Sequence, residues 1–189
     1  MSAGPAWDFG HVGLVGKARA GKDTAAATLV HMGWQRVAFA DPLRDMACAV
    51  DPYVEINGNR GHSFLRLSAV VDALGWEKAK AYPDVRRFLQ RLGSDGVRDH
   101  LGDGLWVAAA MSRADVPTVF PDVRFPNDAE AIRARAGIIV RIVRREHLTG
   151  EQAAHPSENA LDELEPDATV CNDGTIADLQ AAIRRLVTS

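Results

Sequence analysis

Cysteine is nearly missing from this chain: Cys48 and Cys171 are the only two, and they lie far apart. Two distant cysteines argue against a disulfide framework, and both read as buried thiols. No apolar run approaches the roughly 20 residues needed to cross a bilayer. Met1 to Gly10 lacks a basic stretch followed by an apolar one, so no secretory signal is visible and a cytoplasmic setting is expected. An excess of basic charge is also lacking. The formal net charge is −3, whereas dedicated nucleic-acid surfaces are strongly basic, so no nucleic-acid polymer is expected as a partner. Aromatic residues make up only 6% of the chain, which leaves Phe64, Trp76, Phe88 and Trp106 as the rings that could stack on a base, with core packing as the competing role. There is no internal repeat and no low-complexity stretch. An N-K-x-D string, which a guanine-binding switch would carry, is absent as well.

What is present is decisive at one place. Gly16-Lys17-Ala18-Arg19-Ala20-Gly21-Lys22 follows the apolar run Val12-Gly13-Leu14-Val15 and opens onto Asp23-Thr24-Ala25-Ala26-Ala27. The pattern G-x-x-x-x-G-K between a buried strand and a helix is a loop that cradles phosphates. Its glycines let successive backbone N–H groups face an anion, the helix N-terminus adds partial positive charge, and Lys22 can reach the outer phosphates. With 16 glycines and four lysines in 189 residues, chance supplies the pattern only about 0.03 times per chain. Gly16 to Thr24 (Gly16, Lys17, Ala18, Arg19, Ala20, Gly21, Lys22, Asp23, Thr24) is therefore the expected triphosphate site. Asp23 stands where Ser or Thr is usual, with Thr24 one place later, so either side chain could face the metal.

Alternating apolar and polar segments imply an α/β chain, with a parallel sheet flanked by helices. Strands are expected near 11–16, 35–40, 116–122, 138–143 and 168–172. Helices are expected near 22–32, 42–50, 66–75, 83–92, 95–113, 126–136 and 175–187. The length fits a single domain spanning 1–189. Within it, 51–63 and 144–157 lack a helical period and read as mobile insertions, the second a lid carrying Arg144, Arg145, His147 and His155.

Two short apolar strings end in an acid. Thr118-Val119-Phe120-Pro121-Asp122 suggests a strand whose terminal carboxylate helps hold Mg²⁺. Arg36-Val37-Ala38-Phe39-Ala40 leads to Asp41, which Pro42 marks as the start of a helix. Arginines surround these strings: Arg44, Arg86, Arg87, Arg91, Arg98, Arg124, Arg144 and Arg145. Transfer of a phosphoryl group needs cations around both phosphates, and the planar guanidinium pairs two oxygens at once. Arg124, two residues past Asp122, is the strongest single candidate. Val170-Cys171-Asn172-Asp173-Gly174 closes the last strand in a turn that places Asn172 and Gly174 at the same sheet edge.

Several strings taken together resemble the deoxynucleoside monophosphate kinases encoded by bacteriophages, a branch of the P-loop kinases. They are GLVGKARAGKDT (13–24), FADPLR (39–44), RRFLQRLGSDGVRDHLGDGLWV (86–107), DVRFPNDAEAI (122–132) and HPSENAL (155–161). Two departures stand out: Asp128 sits where Glu is more usual, and Pro121 interrupts the strand before Asp122. The resemblance implies a three-layer P-loop kinase fold, with a central sheet of about five strands. It also implies ATP-dependent phosphorylation of a deoxynucleoside 5′-monophosphate to the diphosphate with Mg²⁺. ATP would lie on Gly16 to Thr24, with Asn172 and Gly174 on the adenine side. Asp41, Arg44, Arg91, Arg98, Trp106 and Arg124 would face the monophosphate. Lys22, Asp41, Arg124 and Arg144 would act on the reacting groups, and Asp23, Thr24 and Asp122 would face the metal. Expected partners are the monophosphate and no membrane, with a homodimer left open. The alternatives are another small-molecule P-loop kinase, such as a dephospho-coenzyme A or phosphomevalonate kinase, or a switch that binds a triphosphate without transferring phosphate.

Overall fold

The computed structural model describes residues 10–58, 61–102, 104–144 and 164–188. They form two compact units, one made of the described residues up to Phe39 and from Ala110 onward, the other of Ala40–Ala109.

The first unit is built on β1 (His11–Val15), whose five residues are all buried. A strand buried on both faces belongs in the middle of a parallel sheet. The order is β2-β5-β1-β6-β7, with β2 at Gln35–Arg36, β5 at Thr118–Phe120, β6 at Ile138–Val143 and β7 at Ala168–Cys171. Every pairing is parallel, and Val12 lies opposite both Val119 and Ile138. The five-stranded parallel sheet and its flanking helices are the architecture expected from the sequence. From β1 the chain moves out to β2, back to β5, and then across to β6. Strand order therefore reverses beside β1, which makes its carboxyl end a natural crevice.

Period-two alternation divides the faces of the sheet. Val12 and Leu14 pack with Leu29 of α1 (Lys22–His31) and with Leu179 and Ile183 of α9 (Ile176–Thr188). Gly13 faces the other way, where an added Cβ would sit 2.7 Å from Ile132 on α8 (Pro126–Arg133). Each fully buried side chain such as Leu14 or Ile142 contributes roughly 1.5–3 kcal/mol. The two strands preceding the acidic residues are shorter than the sequence suggests. Pro117 and Pro121 flank β5 and cannot donate to a ladder. Beyond Arg36, Val37 N–H donates to Val119 O at 3.1 Å and continues the pairing.

The second unit corrects two expectations. Residues 51–63 contain strand rather than irregular chain: β3 (Tyr53–Gly58) and β4 (Gly61–Arg66) pair antiparallel, with Gly58 opposite Gly61. The segment lacks a helical period because its period is two. Val54 is 1% exposed and enters a core with Ala47, Leu67, Val70, Ala79 and Val85, while Tyr53 and Phe64 face solvent. Arg66 lies over the Tyr53 ring at 4.2 Å.

The expected single helix over 95–113 is broken. After α2 (Asp41–Val50), α3 (Leu67–Leu74), α4 (Trp76–Ala79) and α5 (Pro83–Gln90), the chain runs as a π-helix over Arg91–Arg98. Short α6 (Asp99–Leu101) ends at Gly102 with φ +89°, and α7 (Gly104–Met111) then leads back to the first unit. Glycines at 93, 96, 102 and 104 weaken a continuous helix, and Gly102 supplies the positive φ that ends it. Cysteine burial is also corrected. Cys48 is half-buried and Cys171 exposed, because Cys171 alternates outward from the buried Val170 on an edge strand. No helix among the described residues is long and apolar enough to cross a membrane.

His11 opens β1 at 7% exposure, edge-on to the Phe120 ring with centroids 5.9 Å apart. Its Nδ1 has no hydrogen-bond partner among the described residues. Burial, reinforced by the Arg135 charge, pulls its pKa below the usual 6.5. The folded state thus favours the neutral ring, so this stability is present above pH about 6.5 and is lost as pH falls below it. His11→Val should show a shallower decline in thermal midpoint between pH 6.5 and 5 than the natural chain. Equal slopes would remove His11 from the acid response.

Candidate functional site

The loop after β1 owes its shape to two positions without side chains. Gly16 has φ +148°, and a Cβ there would run into the carbonyl oxygen of Ile142 on β6. Gly21 has φ +108°, and a Cβ there would come within 2.5 Å of the Asn172 amide nitrogen. Between them Ala20 N–H donates to Lys17 O at 3.2 Å, closing a turn. Arg19 at its crest takes φ +62°, a left-handed conformation that is costly for a residue with a Cβ. Gly21 then caps α1, and its carbonyl accepts the Ala25 N–H at 3.0 Å. Lys22 folds back over the loop, its ammonium donating to Gly16 O at 2.5 Å and Lys17 O at 2.9 Å. Phosphate oxygens are stronger acceptors than these carbonyls, so the ammonium is already placed for an anion.

Beside the loop lies a cleft of about 310 Å³, lined by Arg19, Gly21, Asp23, Thr24, Arg144, Asn172, Gly174, Ile176 and Leu179. Residues from the start, middle and end of the sequence meet here because β1, β6 and β7 are neighbours. Arg144 follows β6, and Asn172 to Gly174 follow β7, so both reach the edge where β1 delivers the loop. Arg19 and Arg144 supply positive charge, while the α1 N-terminus supplies N–H groups. The turn after β7 is itself fixed. Thr175 N–H and Oγ1 donate to the Asp178 carboxylate at 2.8 and 2.7 Å, and these bonds hold that carboxyl below its usual pKa. Asp178 N–H returns a bond to Thr175 Oγ1 at 3.2 Å, completing a capping box that the T-x-x-D spacing makes readable. Gly174 is pressed against Asp178, where a Cβ would meet its carboxylate at 2.7 Å.

The end of β5 is organised by carboxylates acting on backbone. Asp122 Oδ1 accepts Phe39 N–H at 2.8 Å, which ties the end of β5 to the chain running on from β2. Asp128 is 4% exposed, and its Oδ2 accepts the N–H groups of Arg124 and Phe125, both at 3.0 Å. Those bonds turn the backbone after Asp122 into α8 and leave the Arg124 side chain exposed. The sequence marked Asp128 only as a departure from a pattern. Its signal was Pro126 at the first helical position with an acid two residues later.

In the second unit, Asp41 begins α2 and pairs with Arg44 at 3.2 Å, and Arg44 also reaches Glu77 at 3.9 Å. Arg91 and Arg98 are the first and last residues of the π-helix, Arg91 exposed and Arg98 half-buried. Trp106 is 8% exposed, and its indole N–H donates to Gly93 O at 3.1 Å. Leu43 presses on the same glycine, so Trp106 serves the packing of this unit. Trp76 and Phe88 flank its core, and Phe64 is exposed on the hairpin. Arg145, His147 and the 155–161 string lie outside the described residues.

A cationic cleft beside a glycine-shaped loop has the chemistry to suit a polyphosphate, and comparison with known proteins adds the family. The family model for deoxynucleotide monophosphate kinase matches residues 58–183. The chain belongs to that family. The matched region begins after the phosphate loop, so loop geometry and family membership are separate observations. Membership makes the protein a nucleotide kinase, and a kinase of this family uses ATP. A protein of Acanthamoeba polyphaga mimivirus that bears the provisional name deoxynucleotide monophosphate kinase is 29% identical over 196 residues, covering 91% of this chain and 93% of that one. Protein ORF77 of Ictalurid herpesvirus 1 (strain Auburn), whose name states no activity, is 38% identical over 104 residues, covering 50% of this chain and 44% of its own. The solved dephospho-CoA kinase of Campylobacter jejuni is similar at a TM-score of 0.47 and 12% identity, covering 94% of this chain and 95% of that one. The shikimate kinase of Aquifex aeolicus scores 0.44 at 10% identity, with 95% and 99% covered. At such values neither structure bears on activity.

Asp128→Ala should destabilise the protein by about 2 kcal/mol in denaturant unfolding, because two part-buried backbone N–H groups lose a carboxylate acceptor. Asp128→Asn retains an acceptor oxygen and should lose less. Equal losses in the two variants would show that the backbone bonds are not what Asp128 contributes.

Proposed function

We propose that this protein transfers the γ-phosphoryl group of ATP to a deoxynucleoside 5′-monophosphate, giving ADP and the deoxynucleoside diphosphate. The observation that carries the reading is the phosphate loop, with Lys22 bridging Gly16 O and Lys17 O beside a cleft flanked by Arg19 and Arg144. Family membership supports the nature of the acceptor.

Loop N–H groups and Lys22 bind the β- and γ-phosphates of the donor. A phosphate oxygen of the acceptor attacks the γ-phosphorus, a new P–O bond forms, and the bond to the β-bridging oxygen breaks with its electron pair leaving on ADP. The attacking oxygen is already anionic, so no general base is needed, and positioning and charge stabilisation dominate. Arg144 reaches the donor side, and Arg124 serves the acceptor. Asp41, Arg44, Arg91 and Arg98 are proposed contacts of the monophosphate, each argued from its own charge.

Among the described residues no group of three or more His, Cys, Asp or Glu side chains could hold a metal ion. That fits Mg²⁺, which keeps several waters and is held largely by substrate phosphates. Exposed Asp23 and half-buried Thr24 line the cleft, and with Asp122 they are the residues that would hold the ion, directly or through water. When bound, it would neutralise charge on the β- and γ-oxygens. A cytoplasmic setting is part of the same proposal.

The deciding experiment is a coupled ADP-release assay over the four common deoxynucleoside monophosphates and their ribo counterparts. Turnover of at least one deoxynucleotide is expected. Turnover of none, with phosphorylation of an unrelated acceptor, would sink the reading.

Lys22→Ala should keep the fold while lowering the transfer rate by roughly 10²–10³, comparable to losing a principal transition-state contact. Near-normal turnover would mean the loop is not the donor site. Arg124→Ala should raise the acceptor KM with little effect on ATP, and an unchanged acceptor dependence would remove Arg124 from that side.

A further inference from the structure

The Asn172 side chain lines the donor cleft but is turned toward the protein. It is 8% exposed, and its Nδ2 donates to Ala20 O at 2.8 Å, across 152 residues of sequence. Chemistry fixes which amide atom faces the loop, because a carbonyl oxygen can only accept and the amide oxygen cannot donate to it. Its own backbone is anchored as well: Asn172 N–H donates to Val143 O at 2.7 Å, extending the β6–β7 ladder by one bond. The amide nitrogen fills the space beside Gly21 where any Cβ would fall, at 2.5 Å.

A trans peptide is planar, with its C=O and N–H pointing in opposite directions. Gripping the Ala20 carbonyl therefore also orients the N–H of Gly21, which must point away from Asn172. The loop thus has a lateral support from the last strand of the sheet, independent of the Lys22 bonds that cross it.

We infer that Asn172 is a positioning residue that sets the phosphate loop for polyphosphate binding and does not read the base of the donor. The inference deepens the proposed function, resting only on its donor half. Loss of the strut frees the Ala20–Gly21 peptide to rotate, which weakens every ligand that bears a triphosphate by the same factor. A residue that reads a base would instead alter the preference between purines and leave a bare polyphosphate untouched.

The test is calorimetric binding of ATP, GTP and inorganic tripolyphosphate to the natural chain and to Asn172→Ala, well below the unfolding temperature of each. Loss of one buried hydrogen bond predicts a roughly tenfold rise in Kd, equal for all three ligands. An altered ATP-to-GTP ratio with tripolyphosphate unchanged would overturn the inference, as would unchanged affinity for all three. If the variant does not fold, the natural protein still decides the matter. The Asn172 side-chain amide signal in NMR should shift alike with tripolyphosphate, ATP and GTP. A shift with the nucleotides alone would overturn the strut. Failure of the natural chain to bind any triphosphate would count against the proposed function itself, a different outcome from either.

Discussion

The phosphate loop has no room for a side chain at either end, and the structure around the site follows from that constraint. At Gly16 the limit is the backbone of β6, and at Gly21 it is the amide of Asn172 after β7. One lies on β6 and the other directly follows β7, both on the same side of β1, at the carboxyl edge where strand order reverses. A loop this confined can hold a strained conformation, including Arg19 at positive φ, because the strands beside it over-determine its path. The confinement also keeps N–H groups and the Lys22 ammonium in place before a ligand arrives, which is what electrostatic preorganisation requires.

Carboxylates carry out similar work on the other side of β1. Asp122 and Asp128 spend at least part of their accepting capacity on backbone N–H groups, and this defines where β5 stops and α8 begins. Asp178 acts in the same way at the start of α9. Three acids close to the sheet edge therefore shape loops, and only then is a role toward phosphate or metal open to them. Two of the proposed reactive cations are held by such groups, Lys22 by the Gly16 and Lys17 carbonyls and the Arg124 backbone by Asp128.

Much of this was legible in the chain. Gly16 and Gly21 with Lys22 identified the loop, because no other residue types satisfy its backbone and its charge together. Val12 and Leu14, apolar on either side of Gly13, identified the central strand. The hairpin was missed because Val54 and Ile56 give only a brief period of two between polar residues, too short to stand out beside the glycines. The π-helix was missed because Gly93 and Gly96 signal a weak point in a helix without showing how its turns widen, and the approach of Gly93 to Leu43 and Trp106 exists only in the folded unit. Trp106 reads in sequence as a candidate ring, and the bond from its indole N–H to Gly93 O is visible only in the fold.

The residues themselves determine the local chemistry: a curled loop that favours anions, a capped helix after it, and acids that terminate short strands beside prolines. Those are properties of neighbours in sequence, governed by φ, hydrogen-bonding capacity and charge. Which distant residues meet the loop was decided only by tertiary structure. Asn172 reads in sequence as one polar residue in a common turn. It becomes a support for Ala20 because β7 adds beside β6 and ends level with the loop, and that register is set by packing of the whole sheet.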